Sequence, residues 1–265
     1  MTEQSSPSPG PRGHIYLWPQ AFVACGDFLP NRPHRHISAS VLISYGAAFG
    51  LEVNGQWRQT RAALVAPDVP QALAPGDSEL WIAQLDPDSP AWLGLRARLA
   101  ERPSVDLELP PALLPPGQGA GCTAMGSYLA SLVAQAGVAP ERLDPRVLAV
   151  ADRLRRTLPE QLVVADLAAQ VTLSPSRLSH LFRQQTGVSL QRFLLHLKIA
   201  RALAHWQPGK TLSQLAVEAG FYDQPHLVRT ARAMFDALPS QYVSTGWFQV
   251  SRCGGQACGE PARAC

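Results

Sequence analysis

An internal repeat in the second half of the chain constrains the fold more than any other sequence feature. The segment 167–193 recurs at 215–242, with an offset of 48 residues that later becomes 49. Each copy has the pattern of a short helix, a tight turn and a second, capped helix, which is the helix-turn-helix arrangement. The matched positions are Leu167 with Leu215, Ala168 with Ala216, Leu178 with Leu227, Arg183 with Arg232, and Phe193 with Tyr242.

Helix start and stop signals predict that this half is helical almost throughout. Asp144 and Ser174 are suited to be N-caps, because each is followed by a proline at the first helical position. Gly187 and Gly220 are placed to end helices. The predicted helices are 145–157, 163–170, 174–186, 189–206, 211–219, 223–235 and 239–245.

Basic charge is concentrated in the same half. Residues 140–250 carry 13 basic and 8 acidic residues, whereas residues 1–139 carry 8 basic and 11 acidic residues. Only two of the 23 basic residues are lysines, so almost every cation is a guanidinium, which suits bidentate contacts with phosphate or guanine. A basic module joined to a mildly acidic one indicates an anionic polymer as the partner of the second half.

The second helix of a helix-turn-helix presents side chains to base edges in the major groove. We therefore predict recognition helices at 174–186 and 223–235, which read two adjacent segments of double-stranded DNA. Ordinary amphipathic helices with a solvated face would not need two copies in register within the basic segment. The predicted base-reading residues are Ser176, Arg177, Ser179, His180, Gln224, His226 and Arg229. The predicted phosphate contacts are Arg183, Arg192, Lys198, Arg201 and Arg232.

The second copy contains Gly220-Phe221-Tyr222-Asp223, a basic helix, and then Pro239-Ser240-Gln241-Tyr242. With these motifs, the region from about 144 to 246 resembles the DNA-binding domain of the AraC/XylS family of bacterial transcription regulators. The resemblance implies that Asp223 caps the second recognition helix, that Gly220 makes the turn, and that Ala202 allows close packing of the joining helix. It also implies promoter DNA and RNA polymerase as partners, and a homodimer.

The chain departs from the family pattern at a few positions. An aromatic residue that is usual in the second recognition helix is Ala231 here, and the glycine after that helix is Asp236. Leu238 stands where the family has serine or threonine, and Leu190 where a proline is frequent. We expect these differences to affect the rigidity of the second recognition helix rather than base reading.

The first half has the pattern of an antiparallel sandwich or barrel. Residues 14–86 contain short apolar or alternating runs separated by turn residues, and Asn54-Gly55 predicts a tight hairpin. Helices at 91–100 and 122–136 are predicted to form a helical hairpin and are the best candidates for a dimer contact. By family resemblance this half is a cupin-like, effector-binding barrel.

The whole chain is thus predicted to have an α+β fold with an N-terminal cupin-like barrel and a C-terminal all-α domain. The predicted divisions are a disordered leader at 1–13, a sensing and dimerisation domain at 14–139, a DNA-binding domain at 140–248, and a flexible cysteine-containing tail at 249–265.

His34 and His36 alternate along a predicted strand, so that both imidazoles can meet one ion, as in metal-binding cupins. The glutamate and the later histidine of such a ligand set are Ser40 and Gln71 here, which argues against a metal site. An organic effector in the barrel is the preferred prediction. The candidate pocket residues are His34, His36, Tyr45, Phe49, Trp57 and Trp81.

The five cysteines do not resemble the disulfide framework of a secreted domain. Cys25 and Cys122 are isolated, whereas Cys253, Cys258 and Cys265 lie within the last thirteen residues. These three thiols are an alternative sensor, for a thiophilic metal or metalloid or for thiol redox chemistry. An unstructured end with incidental cysteines is the preferred interpretation.

Other function classes find little support in the sequence. No apolar window reaches the ~18 residues that a membrane span needs, and the N-terminus lacks the pattern of a signal peptide. Nucleophile–base pairs, phosphate loops and paired-carboxylate motifs are also missing, so we expect no enzyme and no certain cofactor. A metallo-cupin enzyme with an attached nucleic-acid-binding module is the less favoured alternative to a cytoplasmic, effector-responsive transcription regulator.

Overall fold

The computed structural model describes residues 12–110, 113–137, 142–207, 209–236 and 248–254. Strands form most of the first half and helices most of the second, which confirms the predicted α+β fold. No helix within these ranges is both long and apolar enough to cross a membrane.

Eleven strands form two sheets in the described residues. Their bounds are Gly13–Trp18 (β1), Ala21–Gly26 (β2), His34–Arg35 (β3), Ala39–Ser44 (β4), Phe49–Val53 (β5), Gln56–Thr60 (β6), Ala62–Val65 (β7), Pro70–Ala74 (β8), Leu80–Leu85 (β9), Ser104–Asp106 (β10) and Phe248–Arg252 (β11). The larger sheet has the order β10-β7-β4-β9-β2-β1-β11, and the smaller sheet has the order β3-β8-β5-β6. Neighbouring strands are antiparallel, except that β11 runs parallel to β1.

The two sheets pack together around an apolar core. Leu42 and Ile82 of the larger sheet share one buried cluster with Leu51 and Leu73 of the smaller sheet. Because side chains alternate along a strand, Trp81 lies on the opposite face of the larger sheet. It belongs to a second buried cluster that continues into the helices of both halves. The larger sheet is therefore buried on both faces.

The predicted hairpin at Asn54-Gly55 is confirmed. These two residues join β5 and β6, and their φ angles of 51° and 82° lie in the left-handed region that a two-residue hairpin turn requires.

Two helices follow the strands of the first half: α1 (Pro90–Leu95), which a 3-10 turn extends to Leu99, and α2 (Gly121–Ala134). They pack so closely that a Cβ atom on Gly94 would lie 2.5 Å from Val133 Cγ1, and glycine avoids this clash. The predicted helical hairpin is confirmed, but β10 lies between its helices and was not predicted from the sequence. A dimer contact on these helices stays a prediction.

Six further helices agree with their predicted bounds to within one residue at each end. They are α3 (Pro145–Thr157), α4 (Val164–Gln170), α5 (Pro175–Thr186), α6 (Leu190–His205), α7 (Leu212–Glu218) and α8 (Gln224–Phe235). The predicted caps Asp144, Ser174 and Asp223 each accept a backbone N–H of the first turn through a side-chain oxygen. Gly187 ends α5 with a φ angle of 81°.

The structure corrects the prediction for the C-terminal tail. Instead of a flexible segment from residue 249, β11 pairs with β1 and thereby belongs to the barrel. Cys253, directly after β11, forms a disulfide with Cys122 of α2. The expectation that Cys122 is isolated was therefore wrong, and Cys253 is not a free thiol. Cys25 is a buried free cysteine.

Some predictions fall on residues that the structure does not describe. They are most of the leader (1–11), the domain border (138–141), the helix at 239–245 with its Pro239 to Tyr242 motif, and the tail cysteines Cys258 and Cys265. These stay predictions, except that β1 already begins at Gly13, inside the predicted leader.

Replacing Cys122 with serine should lower the free energy of unfolding under oxidising conditions. The disulfide closes a loop between residues 131 positions apart, and the loss of such a cross-link costs about 2–5 kcal/mol. Urea unfolding of the wild type and of Cys122→Ser, each with and without dithiothreitol, measures this loss. The two proteins should coincide after reduction. Equal stability under oxidising conditions would contradict the pairing.

Candidate DNA-binding surface and inter-domain cavity

The first predicted recognition helix presents its polar face to solvent. Ser176, Arg177, Ser179 and His180 of α5 are exposed, and the buried side of the same helix holds Leu178 and Phe182. Ser174 Oγ accepts the backbone N–H of Arg177 at 3.2 Å, which fixes the start of the helix. The side chains of Ser176, Arg177 and His180 are thus exposed to another molecule, whereas Ser179 Oγ donates to the carbonyl oxygen of Pro175 at 2.9 Å.

The second recognition helix has a comparable outer face. Gln224 and Arg229 of α8 are exposed, and Gln224 Oε1 accepts a hydrogen bond from Ser213 Oγ at 2.7 Å. His226 is only half-exposed, because its ring packs edge-on against Phe221 at a centroid distance of 5.2 Å. Its role therefore includes packing of the turn as well as any contact with a base.

Tyr222 was not among the residues predicted for the DNA surface. Its side chain is 79% exposed, directly before the cap Asp223 of the second recognition helix. A large exposed aromatic ring beside a recognition helix is suited to contact a sugar or a base edge. In the sequence, Tyr222 could have been identified by its position immediately before the N-cap Asp223 in the second copy of the repeat.

The predicted phosphate contacts divide into two groups. Arg183, Arg201 and Arg232 are exposed, and their guanidinium groups form no ion pair with a described residue. Arg192 instead pairs with Asp68 of the β7–β8 turn at 2.6 Å, so it faces the barrel. Lys198 is only 3% exposed and donates to the carbonyl oxygen of Glu160 at 3.0 Å. Both side chains therefore hold protein groups in this structure, and their phosphate contacts stay predictions.

A buried polar network joins the two halves. One terminal nitrogen of Arg155 on α3 contacts Asp86 Oδ2 and Asp88 Oδ1, each at 2.6 Å, and His196 Nε2 of α6 lies 2.6 Å from Asp86 Oδ1. Burial alone would raise the pKa of Asp86, but His196 and Arg155 hold it below its usual value. Burial raises the pKa of Asp88 to about 6, although Arg155 opposes this shift. All four ionisable side chains of this network are largely buried, and a buried charge is stable only when an opposite charge pairs with it.

The C-terminal end of α8 also contacts the barrel. Asp236, which follows the helix with a φ angle of 48°, accepts hydrogen bonds from the backbone N–H and the guanidinium group of Arg32. The ring of Phe235 lies 5.1 Å from the His36 ring and 6.3 Å from the Phe22 ring. One helix thus carries predicted base-reading residues near its start and barrel contacts at its end.

A cavity of about 220 Å³ lies between the barrel and the helical domain. Its walls come from β1, β2, β3, β4, β5, β8, β9 and β11 on one side and from α6, α7 and α8 on the other. Leu227, Ala231 and Phe235, spaced four residues apart along α8, all line it. Because this spacing places side chains on one helix face, α8 presents a whole face to the cavity.

The predicted pocket residues divide between the cavity and other places. His34 and His36 line the cavity. The four predicted aromatic residues do not line the cavity. Trp81 lies on the other face of its sheet, and Phe49 packs in the core between the sheets. Trp57 is 55% exposed, and the Tyr45 hydroxyl donates to the carbonyl oxygen of Pro116. Lining residues that were not predicted include Phe28, Ile199, Leu203 and Trp206. The sequence could not identify them, since the cavity exists only between two domains.

The two histidines bind each other rather than forming part of a ligand cluster. His34 Nε2 and His36 Nε2 are 2.9 Å apart. Among the described residues, no three histidine, cysteine, aspartate or glutamate side chains are grouped to hold a metal ion. Ser40 and Gln71, which replace the expected cupin ligands, are buried and hydrogen bonded to each other at 2.9 Å.

Comparison with known proteins identifies the C-terminal domain. Residues 167–245 match the family model described as a helix-turn-helix domain. The arabinose operon regulatory proteins of Escherichia coli K12 and Salmonella typhimurium are each 36% identical to this chain over 80 residues. That stretch is 30% of this chain but only 27% and 28% of those proteins, so the chain spans little more than a quarter of their length.

Solved structures of ToxT from Vibrio cholerae share the fold across both halves. ToxT with bound unsaturated fatty acid has a TM-score of 0.58 at 10% identity, covering 87% of this chain and 98% of that chain. ToxT bound to (E)-4-(8-methylnaphthalen-1-yl)but-3-enoic acid has a TM-score of 0.59 at 10% identity, covering 84% and 97%. At this level of identity the likeness establishes the fold alone.

Replacing Arg155 with methionine should destabilise the protein by about 3–5 kcal/mol, because two buried carboxylates lose their counter-charge. The loss should be larger at pH 8 than at pH 5.5. Asp88 has a raised pKa in the folded state, so it becomes neutral in acid and then no longer needs the arginine. Urea unfolding at both pH values measures this difference.

The matched control is Arg156→Met on the same helix. Arg156 is 71% exposed and pairs only with the exposed Asp152, so this change should alter stability by less than about 1 kcal/mol at either pH. Equal effects of the two substitutions would show that the buried network does not hold the domains together.

Proposed function

We propose that this chain, whose C-terminal part is a helix-turn-helix domain of the AraC type, is a DNA-binding transcription regulator that responds to a small molecule. The observation that carries the proposal is the double role of α8. One face of this helix lines the inter-domain cavity, and its outer face presents Arg229 and Arg232 to solvent.

Exposed arginines on two helix-turn-helix copies support DNA as the partner. Arg177 on α5 and Arg229 on α8 are exposed and form no ion pair with a described residue, so they are available to bind guanine edges. The other predicted base readers, including Ser176, Ser179, His180, Gln224 and His226, lie on the same two helices. Arg183, Arg201 and Arg232 would bind phosphates and determine affinity rather than sequence preference.

A small, largely apolar molecule in the cavity is the proposed signal. The walls are mainly aliphatic and aromatic side chains with a few polar groups, which is the usual composition of a ligand site. ToxT, which shares the fold, has been solved with an unsaturated fatty acid and with an aromatic butenoic acid. Both are small molecules with extended apolar parts, which supports an apolar effector for this chain.

Occupation of the cavity would act directly on the second recognition helix. An occupant would contact Leu227, Ala231 and Phe235, whose helix also carries Arg229. Since an α-helix moves as a unit over this length, a displacement of its inner face changes the position of its outer face. The barrel therefore needs no long pathway to influence DNA binding.

The proposal includes a homodimer, RNA polymerase as a partner and a cytoplasmic location, all of which follow from the family resemblance and from DNA as the partner. The exposed side of α2, with Thr123, Ser127 and Ser131 at intervals of four residues, is available for a dimer contact.

A thiol or metal sensor is the second candidate function. The disulfide between Cys122 and Cys253 favours a redox role, because its reduction would release the end of β11, whose Phe248 lines the cavity. A metal or metalloid site on Cys253, Cys258 and Cys265 would require this disulfide to be reduced first.

Replacing Arg229 with alanine should weaken binding to the preferred DNA site about fivefold or more, since a bidentate base contact contributes about 1–3 kcal/mol. The site is obtained by selecting duplexes from a random pool with the wild-type protein. Fluorescence anisotropy then measures binding to the selected duplex and to a scrambled one. Affinity for the scrambled duplex should stay the same, and an equal loss on both would exclude base reading by Arg229.

Two further variants serve as references for that experiment. Arg183→Ala should weaken binding to both duplexes equally. Because one phosphate contact is lost, the slope of log affinity against log salt concentration should become about one unit less steep. Arg61→Ala, which removes an exposed arginine from the barrel, should change neither affinity.

Replacing Ala72 with phenylalanine should fill the cavity from its barrel wall and prevent binding of an apolar molecule. N-phenyl-1-naphthylamine, whose fluorescence rises in apolar surroundings, is a suitable probe. We expect the wild type to bind this probe at least tenfold more tightly than the variant, and the probe to change DNA affinity only in the wild type.

The control for the cavity variant is Ala48→Phe, which adds the same side chain at an exposed position of the barrel. This protein should bind the probe as the wild type does. If the probe binds equally well to Ala72→Phe, the cavity is not the effector site.

A further inference from the structure

The polar side chains of the described cavity wall are those of Asn31, His34, His36, Gln71 and Gln84. Asn31 Oδ1 accepts from the backbone N–H of Leu73, and the Gln84 amide is bonded to Ser38 and Ser40. His34 lies directly opposite Gln71 in the β3–β8 pair and is hydrogen bonded to His36, so the three side chains form one polar patch, here named the His-Gln patch. All three residues line the cavity. No lysine, arginine, aspartate or glutamate is among the described residues of the lining.

Hydrogen bonding within the patch determines which histidine nitrogens carry protons. His34 Nδ1 lies 2.8 Å from the carbonyl oxygen of Arg32, which can only accept, so this nitrogen carries the proton. In a neutral ring, His34 Nε2 must then accept from His36 Nε2–H at 2.9 Å. The neutral His36 ring therefore has a lone pair on Nδ1. This buried nitrogen has no hydrogen-bond partner among the described residues.

Both histidines are held in the neutral state. Burial lowers the pKa of His36 well below its usual value, and the charges of His34 and His196 lower it further. Burial also lowers the pKa of His34, although the bond to the Arg32 carbonyl and the charge of Asp236 oppose this shift. The patch thus carries no positive charge near neutral pH.

Gln71 provides a second acceptor without a partner. Ser40 Oγ accepts from Gln71 Nε2 at 2.9 Å and from Gln84 Nε2 at 3.0 Å, and its own proton is donated to Gln84 Oε1 at 3.2 Å. This orients the Gln71 amide and leaves its Oε1 buried with no partner within the described part of the chain. The His-Gln patch therefore has two acceptor atoms without a partner, and its one N–H without an assigned bond is the second proton of Gln71 Nε2.

We propose that the effector of this regulator is a neutral, largely apolar molecule with a hydrogen-bond donor, such as an alcohol, a phenol or a primary amide, whose donor binds the His-Gln patch. The inference rests on the proposed function, because it names the chemistry of the molecule in the same cavity. A donor supplies what His36 Nδ1 and Gln71 Oε1 lack, and buried polar groups are stable only when paired.

A carboxylate is poorly suited to the same place. Its oxygens are acceptors only, so they would face the lone pairs of His36 and Gln71 without a proton between them. No lysine or arginine in the described lining offers a counter-charge.

Three ligands of equal chain length separate these chemistries: 1-decanol, 1-methoxydecane and decanoate. The alcohol can donate, the ether can only accept, and the acid is an anion at pH 8. Competition with N-phenyl-1-naphthylamine on the full-length protein measures each affinity. We expect 1-decanol to bind at least tenfold more tightly than either of the other two ligands.

Gln71→Leu tests the patch itself, because it removes one acceptor and keeps an apolar side chain of similar size. The preference for 1-decanol over 1-methoxydecane should fall at least fivefold, and the affinity for the ether should stay unchanged or increase. Retained ether binding also shows that the variant is folded. Gln59→Leu, at an exposed position of β6, is the matched control and should keep the wild-type preference.

The outcomes distinguish this proposal from the one on which it rests. Equal affinity for alcohol and ether, or tightest binding of decanoate, would overturn the donor requirement and leave the effector cavity in place. A wild type that binds neither the fluorescent probe nor any of the three ligands would overturn both. An unchanged preference in Gln71→Leu would remove Gln71 from the patch and overturn the proposal in its present form.

Discussion

A buried ionic contact, that of Arg155 with Asp86 and Asp88, joins the two halves of the protein. Both carboxylates lie just after β9, and the guanidinium group of α3 is the cation between them. Separating the domains here would leave buried charges unpaired, which costs several kcal/mol for each ion. The cavity lies where α6, α7 and α8 face the strands of the first half. A shared cavity is thus a consequence of domain docking rather than a property of the barrel alone.

Local signals allowed the helical half to be predicted closely. Ser174 and Asp223 cap the helices that the sequence assigned to them, because an N-cap depends only on its nearest neighbours.

The aromatic residues of the barrel were predicted less well. Whether Trp81 faces the core or the opposite side depends on strand register, and a shift of one residue reverses the two faces. The pairing of Cys122 with Cys253 and the barrel strand β11 depend on contacts between distant segments, for which the sequence has no local signal.

Two departures from the family pattern lie where α8 meets the barrel. Ala231 stands where an aromatic residue is usual, and here it lines the cavity, where a larger ring would occupy part of the space. Asp236 replaces a glycine and keeps the left-handed conformation, at a cost of roughly 1–2 kcal/mol for a residue with a side chain. Its ion pair with Arg32 offsets part of this cost, although Arg32 is 86% exposed and the pair is correspondingly weak. Both changes lie where α8 contacts the barrel and the cavity, and not among the predicted base-reading residues.

The position of the cavity also constrains how a signal can act. A molecule enclosed by both domains loses part of its binding surface when they separate, so it must stabilise the docked arrangement. Its effect on DNA then depends on whether the docked position of α8 fits the groove. Linkage requires that DNA changes the affinity for the molecule by the same factor as the molecule changes the affinity for DNA. For the proposed regulator, the direction in which the molecule changes DNA affinity can therefore be determined by measuring ligand affinity with and without DNA.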